Sequence, residues 1–189
     1  MRLIMRSETA ITFALILCAA AAVPATTLVR MSLEQISQAS AYIVRAGCVA
    51  NSAAWDAGEI WTLSTFDVEE TWRGTISGRI TVRLLGGSTA SVTSRVSGVP
   101  RFTPGEEVVL FLEPTERGDF SVVSWQQGTF RVRRNGDSGE ASVTQDTASF
   151  ETFDPTTRRF VANGIRGMAL SEFRSRVGTA SRNPGGSKP

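Results

Sequence analysis

The sequence predicts a mostly β protein: a small closed or partly open barrel of five to six strands, with a short N-terminal helix and a weak C-terminal helix. Three observations lead there. Apolar residues recur with period two in several runs of strand length. Turn signals separate those runs at short intervals. Helical spacing is confined to Ser32–Ala39 and to Leu170, Phe173 and Val177. The chain has 189 residues and 41% apolar content, with only one long apolar run. That length allows a real core. The composition excludes a polytopic membrane protein and a wholly disordered chain.

The N-terminal residues, 1–25, read as a secretory signal. Arg2 and Arg6 supply a basic start, Ile11 to Val23 is apolar apart from Thr12, and Val23-Pro24-Ala25 places small residues before a cut at Thr26. The apolar block falls short of the ~20 residues of a spanning helix. Cys18 invites a lipid anchor, but Leu17 before it is too large for that processing signal. Cleavage would remove Cys18 and leave Cys48 alone, so no intramolecular disulfide is expected and the mature protein is periplasmic or secreted.

Residues 26–145 are the expected barrel domain. Ser32 and Gln35 form a capping box with Met31 and Ile36 as its hydrophobic staple, so a short helix runs to about Ala39. Tyr42–Ala50 is the first strand, interrupted by Gly47, and 51–58 reads as a polar loop. Ile60, Phe66, Val68 and Trp72 share one parity of a long second strand, and Ile80, Val82 and Leu84 mark a third, stopped by Gly86-Gly87. Residues 88–101 form a long polar loop, a length that is uncommon in compact domains and often functional. Thr103-Pro104-Gly105-Glu106 fits a type II turn. Val108–Leu112 is apolar on both faces, hence a central covered strand. Strands at 120–125 and 129–133 follow, and Asn135-Gly136 signals a two-residue hairpin that returns Ala141–Val143. Residues 146–177 read as an extension with a short helix, and 178–189 as a disordered tail rich in Gly, Ser and Pro.

The order of these motifs resembles an uncharacterised family of exported bacterial proteins. The likeness spans Ser32-Leu33-Glu34-Gln35-Ile36, Phe66-x-Val68-x-Glu70-x-Trp72-Arg73-Gly74, Pro104-Gly105-Glu106-Glu107-Val108 and Gln127-Gly128-x-Phe130-x-Val132. It implies an OB-like barrel, similar to netrin-type and tissue-metalloproteinase-inhibitor domains. Those inhibitors bind the protease zinc through an N-terminal cysteine, and a mature chain starting at Thr26 has none. The resemblance therefore implies the fold and carries over no catalytic residue.

Catalytic readings are weak. The chain contains no histidine, which removes the commonest general base and metal ligand. Gly136-Asp137-Ser138-Gly139 looks like a serine-nucleophile segment, but nothing can take the serine proton. Cys48 lies in an apolar strand with no partner to activate it. In the pairs Glu69-Glu70 and Glu106-Glu107, neighbours on a strand face opposite ways, so neither pair is expected to converge. No cofactor or metal is implied. Arg83, Arg131, Arg133 and Arg134 could line a nucleic-acid stripe, but the net charge of +2 and the nearby Glu106, Glu107 and Glu113 favour a salt-paired face.

What remains is an exported, non-catalytic binding module whose partner is a protein or another envelope or extracellular ligand. Its expected surface is Trp55, Trp61, Ser91, Arg95 and Arg101, because exposed tryptophans anchor interfaces and a polar loop as long as 88–101 is often functional. The alternatives are a protease-inhibitor-like protein acting through its loops, and a carboxylate-dependent hydrolase.

Overall fold

The computed structural model describes residues 29–136, 139–149, 151–162 and 164–182. The expected signal at 1–25 with Cys18, the Asp137-Ser138 pair and residues 183–189 lie outside the described residues.

Helix α1 (Leu33–Ala39) begins at the predicted capping box: Gln35 N–H donates to Ser32 Oγ, and Ser32 N–H donates to Gln35 Oε1. Strands β1 (Tyr42–Asp56) and β2 (Glu59–Arg73) form a long antiparallel hairpin, and β3 (Gly78–Leu85) continues the sheet beyond β2. Two short strands, β4 (Gly87–Ser88) and β5 (Thr93–Ser94), pair with each other. The central strand β6 (Glu107–Pro114) pairs with β1, and β7 (Phe120–Val122) joins β6 antiparallel to β3 parallel. The order β1–β2–β3–β7–β6 and back to β1 closes a ring. This is a small, partly closed β-barrel, the architecture that the strand pattern predicts.

The sheet also continues outward from β6 through β8 (Thr129–Arg134) and β9 (Ala141–Gln145). A separate hairpin follows, β10 (Glu151–Asp154) with β11 (Arg159–Ala162). The chain then returns as β12 (Met168–Ala169) beside β9 and ends in α2 (Leu170–Arg182).

Strand β6 lies between two cores, which explains why Val108–Leu112 is apolar on both faces. Val108, Leu110 and Leu112 point into the barrel with Val44, Phe66 and Val82. Val109 and Phe111 point outward to Phe130, to Ile36 of α1 and to Phe173 of α2. The two helices thus cover the outer face of the sheet. Each such buried side chain contributes roughly 1.5–3 kcal/mol by removing apolar surface from water. Among the described residues no helix is long and apolar enough to cross a membrane.

Several local expectations change. Residues 51–56 are strand rather than loop. Their polarity reflects a ribbon that extends past the barrel and is wet, since exposure runs almost unbroken from Val49 to Glu59. The strand expected at 120–125 ends at Val122, because Ser124 and Trp125 take positive φ (52° and 53°) and lead into a 3-10 turn. The β8–β9 connection runs from 135 to 140 instead of two residues, with Asn135 N–H bonded to Glu140 O and Gly139 N–H to Asn135 O. The disordered tail expected from Gly178 is helical as far as Arg182, where buried Ala180 holds the last turns down. The segment 146–177 contributes Phe173 and Val177 to the outer core and so is packed as part of the same body.

Candidate interaction surface

The β1–β2 ribbon is closed by Ala57-Gly58, whose φ values of 50° and 84° put both residues in the left-handed region, as a tight primed hairpin turn requires. Asp56 and Glu59 are the closing pair. Hydrogen-bonded and non-bonded pairs alternate along an antiparallel ladder. Asp56, Ala54 and Ser52 therefore bond to β2, and Trp55, Ala53 and Asn51 turn their backbone N–H and C=O to the other side.

Strand β6 covers that side of β1 only from Tyr42 to Gly47, and the 103–106 turn covers Cys48 through Gly105 N–H and Glu106 O. Val49 is the extra residue of a bulge, since Cys48 faces Phe66 and Ala50 faces Thr65. Beyond it, among the described residues, β1 pairs only with β2. Residues 49–55 carry no charge, lysine or proline, the usual devices that blunt an edge. Trp55 ends this edge, 56% exposed.

The loop from Gly86 to Phe102 lies against one face of the ribbon. A Cβ on Gly87 would stand 2.5 Å from Thr62 Oγ1 and 3.4 Å from the Ala53 side chain, so only glycine fits there. Thr62 Oγ1 donates to Gly86 O at 2.7 Å. The far end of the loop caps the barrel with buried Val99 and Phe102, the latter edge-to-face with Phe66 at 5.0 Å. A cleft of about 310 Å³ remains between ribbon and loop, lined by Asn51, Ala53, Thr62, Gly87, Pro100 and Arg101.

The structure divides the five residues expected to form one surface. Trp55 sits opposite Ile60 and shares the face of Ala53, the face that the 86–102 loop covers. Ser91, Arg95 and Arg101 are exposed on that same loop. Ser91 stands at the tip of a turn closed by Thr89 N–H to Val92 O, and Arg101 donates to Ser94 O. Trp61 is on the opposite face, and that is a correction: it belongs with Arg83, whose guanidinium lies 5.5 Å from its ring centre. Sequence parity already put Trp61 across from Phe66; it could not show that the loop folds to the Trp55 side.

Many of the charged residues near the ribbon and barrel are tied to one another. Arg83 bonds Asp119 at 2.7 Å and Asp56 at 3.0 Å, and Arg117 reaches the same Asp56 at 2.6 Å. Arg131 holds Asp146 and Glu106 and lies 4.9 Å from the Phe102 ring. Arg83, Arg131 and Arg134 therefore sit in separate ion-paired clusters, and among the described residues they make no continuous basic stripe. Glu69 and Glu70 depart from expectation: both reach Arg45, at 2.7 and 2.9 Å, and Glu107 joins them at 2.5 Å. Register shifts in the β1–β2 pairing at Ile43/Val44 and Arg45/Ala46, together with the length of the glutamate side chains, bring both carboxylates to one cation. Burial opposes the Arg45 charge, but the Glu107 hydrogen bond and the fields of Glu69 and Glu70 outweigh it and raise its pKa. These carboxylates serve a structural cation, which leaves them poorly placed for acid–base work.

Cys48 is buried at 2% exposure, and burial, reinforced by Glu106, pushes its thiol pKa up. A protonated, enclosed thiol is a poor nucleophile. Among the described residues no group of three or more Cys, Asp or Glu is placed to hold a metal ion. No protein-family model matches the chain, and no curated protein matches it significantly.

Proposed function

We propose that the protein is an exported, non-catalytic interaction module that offers the free edge of its β1–β2 ribbon to an extended segment of a partner protein. The observation that supports this most directly is the uncharged edge from Ala50 to Trp55, with outward backbone donors and acceptors at Asn51, Ala53 and Trp55. An added strand would take affinity from main-chain hydrogen bonds and specificity from side-chain pockets. Trp55 and the cleft beside Ala53 and Arg101 supply such contacts on the loop-covered face.

The test is cross-linked capture from the producing cell's envelope and culture fluid, read by mass spectrometry. Wild-type bait is compared with Ala53→Pro, Trp55→Ala and Trp61→Ala. Proline at 53 removes an outward donor and leaves the β2 ladder intact. Ala53→Pro and Trp55→Ala should each reduce recovery of the partner by about tenfold, which corresponds to roughly 1.4 kcal/mol. Trp61→Ala, on the other face, should leave it unchanged. A partner retained equally by all three variants would remove the edge from consideration, and a secreted protease as the captured partner would favour an inhibitor role.

A further inference from the structure

The ribbon edge carries both halves of its own complement. Asn51, Ala53 and Trp55 turn their backbone groups outward, and Ala53 is the middle one. Their side chains share the face that the 86–102 loop covers: Asn51 Nδ2 donates to Phe102 O at 2.7 Å, and a Cβ on Gly87 would touch Ala53. The cleft of about 310 Å³ opens beside Asn51 and Ala53, and its lining stops short of Trp55. Trp55 lies four residues from Asn51, about 13 Å along the strand, and stays 56% exposed. One strand edge thus presents an aromatic knob at one end and an open cleft at the other.

A second copy of the chain matches that pattern. Antiparallel pairing about a two-fold axis at Ala53 sets Ala53 against Ala53, and Asn51 of each copy against Trp55 of the other. Directly opposite residues of a hydrogen-bonded pair stand about 5.5 Å apart at Cα and on one face. Each Trp55 therefore arrives beside the other copy's Asn51, at the cleft, where Arg101 can stack on its ring. The neighbouring axes fail. One at Asn51 sets Trp55 against Gly47, which β6 already covers, and one at Trp55 sets Asn51 against Glu59, past the turn at Ala57-Gly58. Residues 49–55 are uncharged, so two copies meet along the ladder without like-charge repulsion.

We infer that the resting occupant of this edge is a second copy of the chain: two ribbons pair antiparallel about Ala53, and each Trp55 enters the other's cleft. This rests on the edge reading above and adds its regulation, because an extended segment of another partner must displace the second copy. The pairing is isologous and closed, so it covers an edge that lacks the usual blunting residues and does not propagate. It is also small. Five paired residues a side and two tryptophans, each adding on the order of 100 Å², fall short of the roughly 1,600 Å² of a standard interface. The dimer is therefore weak and concentration-dependent, and another strand can take its place.

The experiment is sedimentation equilibrium of the exported protein from micromolar to millimolar concentration. Wild type should pass from monomer to dimer and stop there. Ala53→Pro and Trp55→Ala should each weaken the dimer by about tenfold, and Trp61→Ala, on the other face, by less than about twofold. A short bis-maleimide reads the register in Ala53→Cys and Ala50→Cys proteins. The two copies of position 53 face each other, whereas those of position 50 lie about 20 Å apart. Only Ala53→Cys should therefore give cross-linked dimer above the level of the unsubstituted protein, which holds the same buried Cys48. A protein that stays monomeric throughout overturns the inference. So does a dimer that Ala53→Pro or Trp55→Ala leaves intact, equal cross-linking at both positions, or growth beyond a dimer. A monomer that still loses its captured envelope partner through Ala53→Pro keeps the edge reading and sinks the self-pairing alone. A dimer as described, with no partner captured through Ala53, does the reverse.

Discussion

Replacing Phe173 by alanine tests whether the C-terminal helix belongs to the same folding unit as the barrel. The ring is fully buried, 4.6 Å from the Phe130 centroid, 6.0 Å from Trp72 and 6.4 Å from Phe111. Truncating a core phenylalanine costs about 3–5 kcal/mol through lost transfer energy and the cavity left behind. Three aromatic neighbours place this site at about 4 kcal/mol or above, since each ring pair adds roughly 0.5–1.5 kcal/mol beyond burial. For a chain of this size each kcal/mol lowers Tm by about 2–4 °C, so the variant should melt about 8–16 °C below wild type. Urea unfolding followed by tryptophan fluorescence, to which Trp72 beside Phe173 contributes with Trp55, Trp61 and Trp125, gives the equilibrium value. Arg176→Ala on the exposed side of the same helix loses only an i,i+4 pair with Glu172 and should cost no more than about 0.5 kcal/mol. A Phe173→Ala cost below about 1 kcal/mol would refute the reasoning, as would a separate early transition that leaves the barrel untouched.

Three further outcomes follow from the same packing. Buried Gln127 accepts from Met31 N–H at 2.7 Å and donates to Val29 O at 2.8 Å, so Gln127→Leu should cost about 2–3 kcal/mol and speed hydrogen exchange at the Met31 amide; a Met31 amide still protected would show that the clamp is unnecessary. Cys48 should resist thiol reagents at neutral pH and react only in denaturant, which peptide mapping of the labelled site would show. The Trp72 indole N–H, with the charges of Arg45 and Arg174, holds the Glu70 carboxyl below its ordinary value of 4.5. Because the folded pKa is the lower one, this contribution is complete above about pH 4.5 and is lost as pH falls through the folded value. Glu70→Gln should therefore flatten the acid limb of the stability profile, and an unchanged limb would assign it to other carboxylates.

Local chemistry was legible in the residues themselves. The Ser32–Gln35 box, the type II turn at 103–106 with Glu106 N–H bonded to Thr103 O, and the doubly apolar β6 all form where short-range pattern places them. Each depends on neighbours within a few positions, so the pattern carries the information. The Asn51–Asp56 stretch misled for a related reason. A solvated two-stranded ribbon and a polar loop have the same composition, and they differ only in whether a partner strand is in register.

The sequence alone determined a β-rich chain with one central strand, helices at either end and no histidine for the commonest catalytic roles. Only the tertiary structure decided which faces meet. The closure of β1 onto β6 leaves Ala50–Trp55, among the described residues, paired only with β2, the return of the 86–102 loop separates Trp55 from Trp61, and the seating of Phe173 makes α2 part of the outer core. These are contacts between residues distant along the chain. Periodicity records which side chains must be buried but not against what, and that choice is made by how the whole sheet closes.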